Sequence, residues 1–138
     1  MKSINLNKKF NNYYKDAGEA CFVAYILLNE LIPFLKEHGK EIVSNHYRHC
    51  HILKDKKKSF AELINKEINN FELDPDEEIW EVAFGNHNGL RVYVGLANYN
   101  DSLYFYPLFI DPHHMIYNDD RYGFKSKNYN FSFNDVKK

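Results

Sequence analysis

Near Asp76–Glu78 the spacing of apolar residues changes from steps of three and four to steps of two. That change restricts the fold more than any other property of the chain. Upstream, Ala20, Val23, Ala24, Leu27, Leu28 and Leu31 recur at helical intervals, with Phe22 and Ile26 widening the stripe until it implies deep burial. Downstream, Ile79–Phe84 alternates, with Trp80, Val82 and Phe84 on one side and Ile79, Glu81 and Ala83 on the other. Leu90–Leu96 repeats the pattern, turning Leu90, Val92, Val94 and Leu96 inward and Arg91 and Tyr93 to the other face. Leu103–Ile110 is a third apolar, aromatic run. Gly85–Gly89 and Asn98–Asp101 have the composition of hairpin loops. Three consecutive antiparallel strands form a meander that needs one face covered, and the preceding helices supply the cover. The expectation is an α+β fold, with N-terminal helices packed on a small antiparallel β-meander.

With 138 residues, of which 44% are hydrophobic, the chain reads as a single domain, 1–138. Residues 1–15 read as a flexible arm, 16–71 as helical, 79–117 as the sheet and 118–138 as a tail or edge strand. Asp16 caps the first helix, which Pro33 ends or kinks and Gly39 terminates. Lys40–Leu53 reads as a second helix. Ser59-Phe-Ala-Glu62 forms a capping box opening a third, whose inner face carries Phe60, Leu63, Ile64, Ile68 and Phe71. The two cysteines, Cys21 and Cys50, suit free thiols in a reducing compartment. No apolar leader is evident, and the longest apolar stretch, Ala20–Leu28, is too short to span a bilayer, so the expected location is cytoplasmic with no membrane partner. A net charge of −1 counts against indiscriminate binding to nucleic acid. The aromatic content of 17% fits either a ring-built core or an aromatic binding surface.

The stretch most suited to chemistry follows the third strand. Asp111-Pro112 is a turn-forming pair that delivers His113 and His114 before a short apolar piece ending in Tyr117. A carboxylate two residues from an imidazole can orient it and raise its pKa, the arrangement of general acid–base catalysis. The plainer reading is a turn with one histidine donating to a buried carbonyl. Arg91, with Tyr93 on the same strand face, can clamp a phosphate, or can simply pair with Glu81 across the hairpin on the solvent side. In a meander, Arg91 at the start of one strand lies opposite Asp111 at the end of the next. His87 in the Gly85–Gly89 loop is a binding candidate or a turn residue. His46 and His49 stand one helical turn apart, with His51 nearby, as weak metal candidates, although no zinc signature has this spacing. No cofactor is implied.

The segments Glu78-Ile-Trp-Glu-Val-Ala-Phe84, Gly89-Leu-Arg-Val-Tyr-Val94 and Leu103-Tyr-Phe-Tyr-Pro-Leu-Phe-Ile110 resemble the RelE/ParE toxin superfamily. There, helices precede a strand of Trp-Glu-apolar type, a strand carrying an arginine and an aromatic, and a hydrophobic central strand. The ending Asp111-Pro-His-His-Met-Ile-Tyr117 is also similar to a group of small bacterial proteins without an assigned activity. The RelE-like resemblance implies a toxin that cleaves mRNA, usually on the ribosome and without metal. Arg91 would stabilise phosphate charge, with His113, His114 or Tyr117 as acid or base, and an antitoxin would be the cognate partner. The rival expectation is a non-enzymatic mobile-element or phage protein that binds and inhibits a host or defence protein. The near-neutral charge favours this rival, and the clustered histidines favour the enzyme, which is the leading expectation.

Overall fold

A computed structural model describes residues 14–54, 57–58, 60–62, 73, 76–85, 87, 89–114 and 131. Its first element is one unbroken helix, Ala17–Val43, made of α1 (Ala17–Ile26), a π-helical turn (Leu27–Leu31) and α2 (Ile32–Val43). Asp16 caps it as expected, its carboxylate accepting the Glu19 amide at 2.8 Å, while Glu19 accepts the Lys15 amide at 3.0 Å. Neither Pro33 nor Gly39 stops it. Pro33 falls just after the π turn, where the regular hydrogen-bond ladder is already interrupted, so its missing N–H costs little. The π turn also keeps the buried face aligned. Ala20, Val23 and Ile26 step inward by three, and Leu31 returns to that face five residues later.

Gly39 stays helical because the space is needed: a Cβ there would lie 2.9 Å from the Phe105 ring. The helix ends instead at Asn45, whose φ of 64° is left-handed. Asn45 and His46 donate to the carbonyls of Ile42 and Glu41, the Schellman arrangement. The expected second helix over Lys40–Leu53 is therefore corrected. Its first residues extend the long helix, and Cys50–Ile52 is strand β1. Cys50 and Ile52 suit a two-residue period as well as a helical one, and the open edge of the next strand decides between them.

Strands β2 (Glu78–Val82), β3 (Arg91–Tyr99) and β4 (Ser102–Asp111) follow the expected meander, and β1 adds a fourth, giving an antiparallel sheet of order β1-β2-β3-β4. Asn100 and Asp101 are both left-handed between the paired Tyr99 and Ser102, as a twist-matched two-residue hairpin requires. A bulge follows Tyr93, which faces Phe109, whereas Val94 faces Pro107.

The core lies between the helix and the sheet. Ala20, Val23, Ile26, Leu31 and Ile42 meet Cys50, Trp80, Val82, Phe84, Leu90, Val92 and Val94. Trp80, Val82, Val92 and Val94 are buried as the alternation required. The side chain of Phe109, in the third apolar run, lies outside the described residues.

Two expectations about burial are overturned. The sheet's second face is also covered, since Ile79 and Tyr93 are fully buried and the Phe60 ring sits 4.6 Å from that of Tyr93. The helix, by contrast, exposes its outer half, with Phe22, Tyr25, Leu28 and Ile32 between 46% and 67% accessible. Because no residue breaks it, this helix is also long and apolar enough to cross a bilayer, which the shorter stretch Ala20–Leu28 is not. Ser59, residues 63–72 and residues 115–117 lie outside the described residues. Of the expected tail or edge strand, Phe131 alone is described, and it exchanges two backbone hydrogen bonds with Tyr14.

Candidate functional site

The end of β4 brings several of the expected site residues together, but on two faces of the sheet. Arg91 and Asp111 are directly opposed across β3 and β4, as the meander predicts. Neither is presented to solvent: Arg91 is 8% accessible and Asp111 not at all. The Arg91 guanidinium lies 3.4 Å from Glu81 and also donates to the Leu90 carbonyl at 2.9 Å. Tyr93, expected as a binding residue, is fully buried and donates its hydroxyl to Glu81 at 3.3 Å. His51 faces Glu81 from β1. Burial pushes the Glu81 carboxyl up, against the pull of Arg91, then His51 and the Tyr93 hydroxyl. The arginine–glutamate pairing of the plainer reading is thus present, in the interior rather than on a solvent face. The Arg91 guanidinium is already engaged by the Glu81 carboxylate and the Leu90 carbonyl.

The corner Asp111-Pro112-His113 then carries the chain to the helix side. His113 is 6% accessible, and its Nε2 lies 2.7 Å from Glu19 in the first turn of α1. Glu19 is thus a carboxylate that orients this imidazole, and it comes from the helix rather than from the corner itself. Burial lowers the His113 pKa, and the Glu19 charge and hydrogen bond oppose that shift without cancelling it. Tyr14 is buried alongside, its phenol pushed up by burial and by Glu19. His114 is half-buried with a left-handed backbone. Tyr117 lies outside the described residues. A neutral imidazole held by a carboxylate is the usual orientation device of a general base.

Of the other histidines named from the sequence, His51 faces Glu81 and the rest are placed elsewhere. His87 is bonded to Glu30 and packs edge-on against Phe84 and Phe22, so it fastens the Gly85–Gly89 loop to the helix. His46 is exposed beside the Ser44 hydroxyl, His49 is exposed in a left-handed turn, and His51 is on a strand. The helical spacing that made His46 and His49 metal candidates is not formed. Among the described residues, no group of three His, Cys, Asp or Glu side chains could hold a metal ion.

Glu19 and Tyr14 were missed at the sequence level, although Asp16-Ala-Gly-Glu19 carries the spacing of a helix-opening box. Glu81 was assigned to solvent. Its position amid apolar neighbours, on the same face as Tyr93, was the sign that it is buried.

A family model described as "Uncharacterised protein UU032" matches residues 1–138. The chain belongs to this UU032 family. No curated protein and no solved structure matches it. In this family member, the geometry therefore carries the functional argument.

Proposed function

We propose that the chain is a non-enzymatic protein-binding module acting in the cytoplasm, with a host or defence protein of the cell as its target. The observation that carries this reading is the exposed apolar surface. Phe22, Tyr25, Leu28, Ile32, Tyr99, Leu103 and Tyr104 are each 46–68% accessible, while the charged residues suited to catalysis are engaged with one another inside. Exposed apolar area on this scale marks an interaction surface more often than an ordinary solvated face. Between α2 and β4 the surface dips into a groove of about 750 Å³, walled by Ile32 and Leu35 on one side and Leu103, Tyr104 and Phe105 on the other. A groove of this size suits an apolar anchor from a partner chain. The test is expression in bacteria of wild type, Leu28→Glu, Tyr104→Glu and His113→Ala. A growth effect that the first two substitutions relieve and His113→Ala leaves intact is expected. Dependence on His113 alone would overturn the reading.

A second reading is favoured by the His113–Glu19 pair: a RelE-like toxin acting as a metal-independent endoribonuclease on mRNA, with an antitoxin as partner. Here His113 is the general base, Glu19 positions it, and His114 is the neighbouring acid. RNA incubated with purified wild type, Glu19→Gln and His113→Ala distinguishes it. Cleavage lost in both variants supports the ribonuclease, and intact RNA with wild type excludes it.

A further inference from the structure

We propose that the groove between α2 and β4 takes an acidic segment of the bound protein, with an apolar side chain on the groove floor and carboxylates over the helix rim. The proposal rests on the protein-binding reading and names the chemistry of its partner.

The groove is apolar below. Leu31 and Val94, both buried, lie at its base, and Ile32 and Leu35 line the helix wall. On the strand wall, Phe105 pairs with Leu96 and Leu103 with Asn98, register positions that share the Val94 face. Both side chains therefore turn toward the helix, and the Phe105 ring reaches Gly39.

Along the helix the rim is cationic, because the charges of α2 are sorted by side. Lys36 and Lys40 stand four residues apart, about 6 Å along the axis, and both line the groove. Glu37 and Glu41, their neighbours in sequence, are turned to His38, which lies 3.7 Å from the first and 3.3 Å from the second. Charges that alternate in sequence are thereby separated in space, ammonium groups to the groove and carboxylates to the other flank. Both lysines are exposed, and among the described residues neither forms an ion pair. Asp101, the third charged residue of the lining, belongs to the hairpin turn of β3 and β4 and leaves the helix rim cationic.

An occupant has to suit both the floor and the rim. A lysine covered without a counter-charge is costly, so an uncharged apolar segment loses at the rim part of what it gains on the floor. A segment with two carboxylates one helical turn apart over Lys36 and Lys40, and an apolar anchor a turn away beside Ile32, satisfies both. Nucleic acid supplies the negative charge but nothing for the apolar floor, and two lysines are few for it. A bilayer surface is flat, whereas this recess suits a convex side chain.

The test is fluorescence anisotropy of the full chain with two labelled amphipathic peptides of equal length, LEELLEELLEEL and LKKLLKKLLKKL. The chains compared are wild type, Lys36→Glu/Lys40→Glu and Lys36→Gln/Lys40→Gln. Both positions are exposed, so the variants should fold, and thermal melting checks this. Expected is wild-type binding of the acidic peptide roughly tenfold tighter than of the basic one, weakened by salt, inverted by charge reversal and abolished as a preference by the glutamine pair. No binding of the acidic peptide at about 1 mM overturns the proposal, as does an affinity that both variants leave unchanged. Tighter binding of oligouridine RNA or of phosphatidylglycerol vesicles, lost on charge reversal, overturns it in favour of nucleic acid or lipid. In bacteria, a growth effect relieved by Lys36→Glu/Lys40→Glu as well as by Leu28→Glu and Leu103→Glu supports it. An effect that the two leucine variants relieve and the charge reversal leaves intact removes only the acidic partner. An effect that ignores all of these substitutions removes the protein-binding reading as well.

Discussion

Replacing Arg91 with leucine measures whether the second face of the sheet is an interior. The guanidinium is 3.4 Å from Glu81, and the two side chains are 10% and 14% accessible. At an effective dielectric of about 20, their attraction is roughly 5 kcal/mol, which partly offsets the desolvation of both ions. Removing the cation leaves Glu81 buried without its strongest opposing charge, and such truncations cost about 3–5 kcal/mol. For a chain of 138 residues that corresponds to a melting temperature about 10–17 °C lower.

The pH dependence follows from Glu81, whose carboxyl burial already pushes above the ordinary range. Folded Glu81 holds its proton more tightly than unfolded Glu81, so stability is greatest below the ordinary carboxylate pKa and falls as pH rises through the raised one. Without Arg91 the raised value climbs further, and the fall extends to higher pH. Urea and thermal melts of Arg91→Leu at about pH 5 and about pH 8 should show the larger loss at the higher pH. Adding Glu81→Leu should recover most of the stability. A loss under about 1 kcal/mol, equal at both pH values, would mean that the pair is solvated and this face open.

His113, whose pKa burial lowers, should subtract stability as pH falls through the ordinary histidine range toward its depressed value, because the unfolded chain binds that proton first. Melting of His113→Gln should lose part of that acid sensitivity, and an unchanged pH profile would refute the burial of the imidazole. Gly95→Ala places a Cβ about 2.2 Å from the Tyr106 ring, whose hydroxyl is fixed on Glu77, so a loss of at least ~1–3 kcal/mol is expected, relieved when Tyr106 is also truncated. Val92→Ala, at a fully buried position facing the helix, should cost about 2 kcal/mol in a denaturant melt. A neutral result there would put β3 out of register.

The three-strand meander was legible because β2 and β3 alternate every two residues, β4 is an unbroken apolar run, and turn chemistry separates them. Gly85 and Gly89 adopt positive φ, and Asn100-Asp101 tolerates it. That same alternation placed Arg91 opposite Asp111. What it leaves open is which faces are covered. Arg91 and Tyr93 alternate away from the helix whether that side meets water or a second layer, and Phe60 supplies the layer from a distant segment. On the helical side, Pro33 and Gly39 carry the usual stop signals. Both are overridden by tertiary context, the π turn in one case and the Phe105 ring in the other. Breadth of the apolar stripe misled for a related reason. A helix apolar on all sides signals burial only when every side has a neighbour, and this one has a neighbour on its inner side.

The corner Asp111-Pro112-His113 links these observations to function. It divides its polar side chains between two faces, Asp111 opposite Arg91 and His113 onto Glu19, with Pro112 buried between them. Arg91 pairs with Glu81 and His113 with Glu19, so residue types that look catalytic in sequence close the end of the sheet against the first turn of α1. For Arg91 to grip a phosphate, it would have to leave Glu81 and forfeit about 3–5 kcal/mol. One charged contact at a partly screened site seldom returns that much. A partner that covers Tyr25, Leu28 and Ile32 displaces water from apolar surface and breaks no existing pair. Association at that face is therefore the event that the folded chain opposes least.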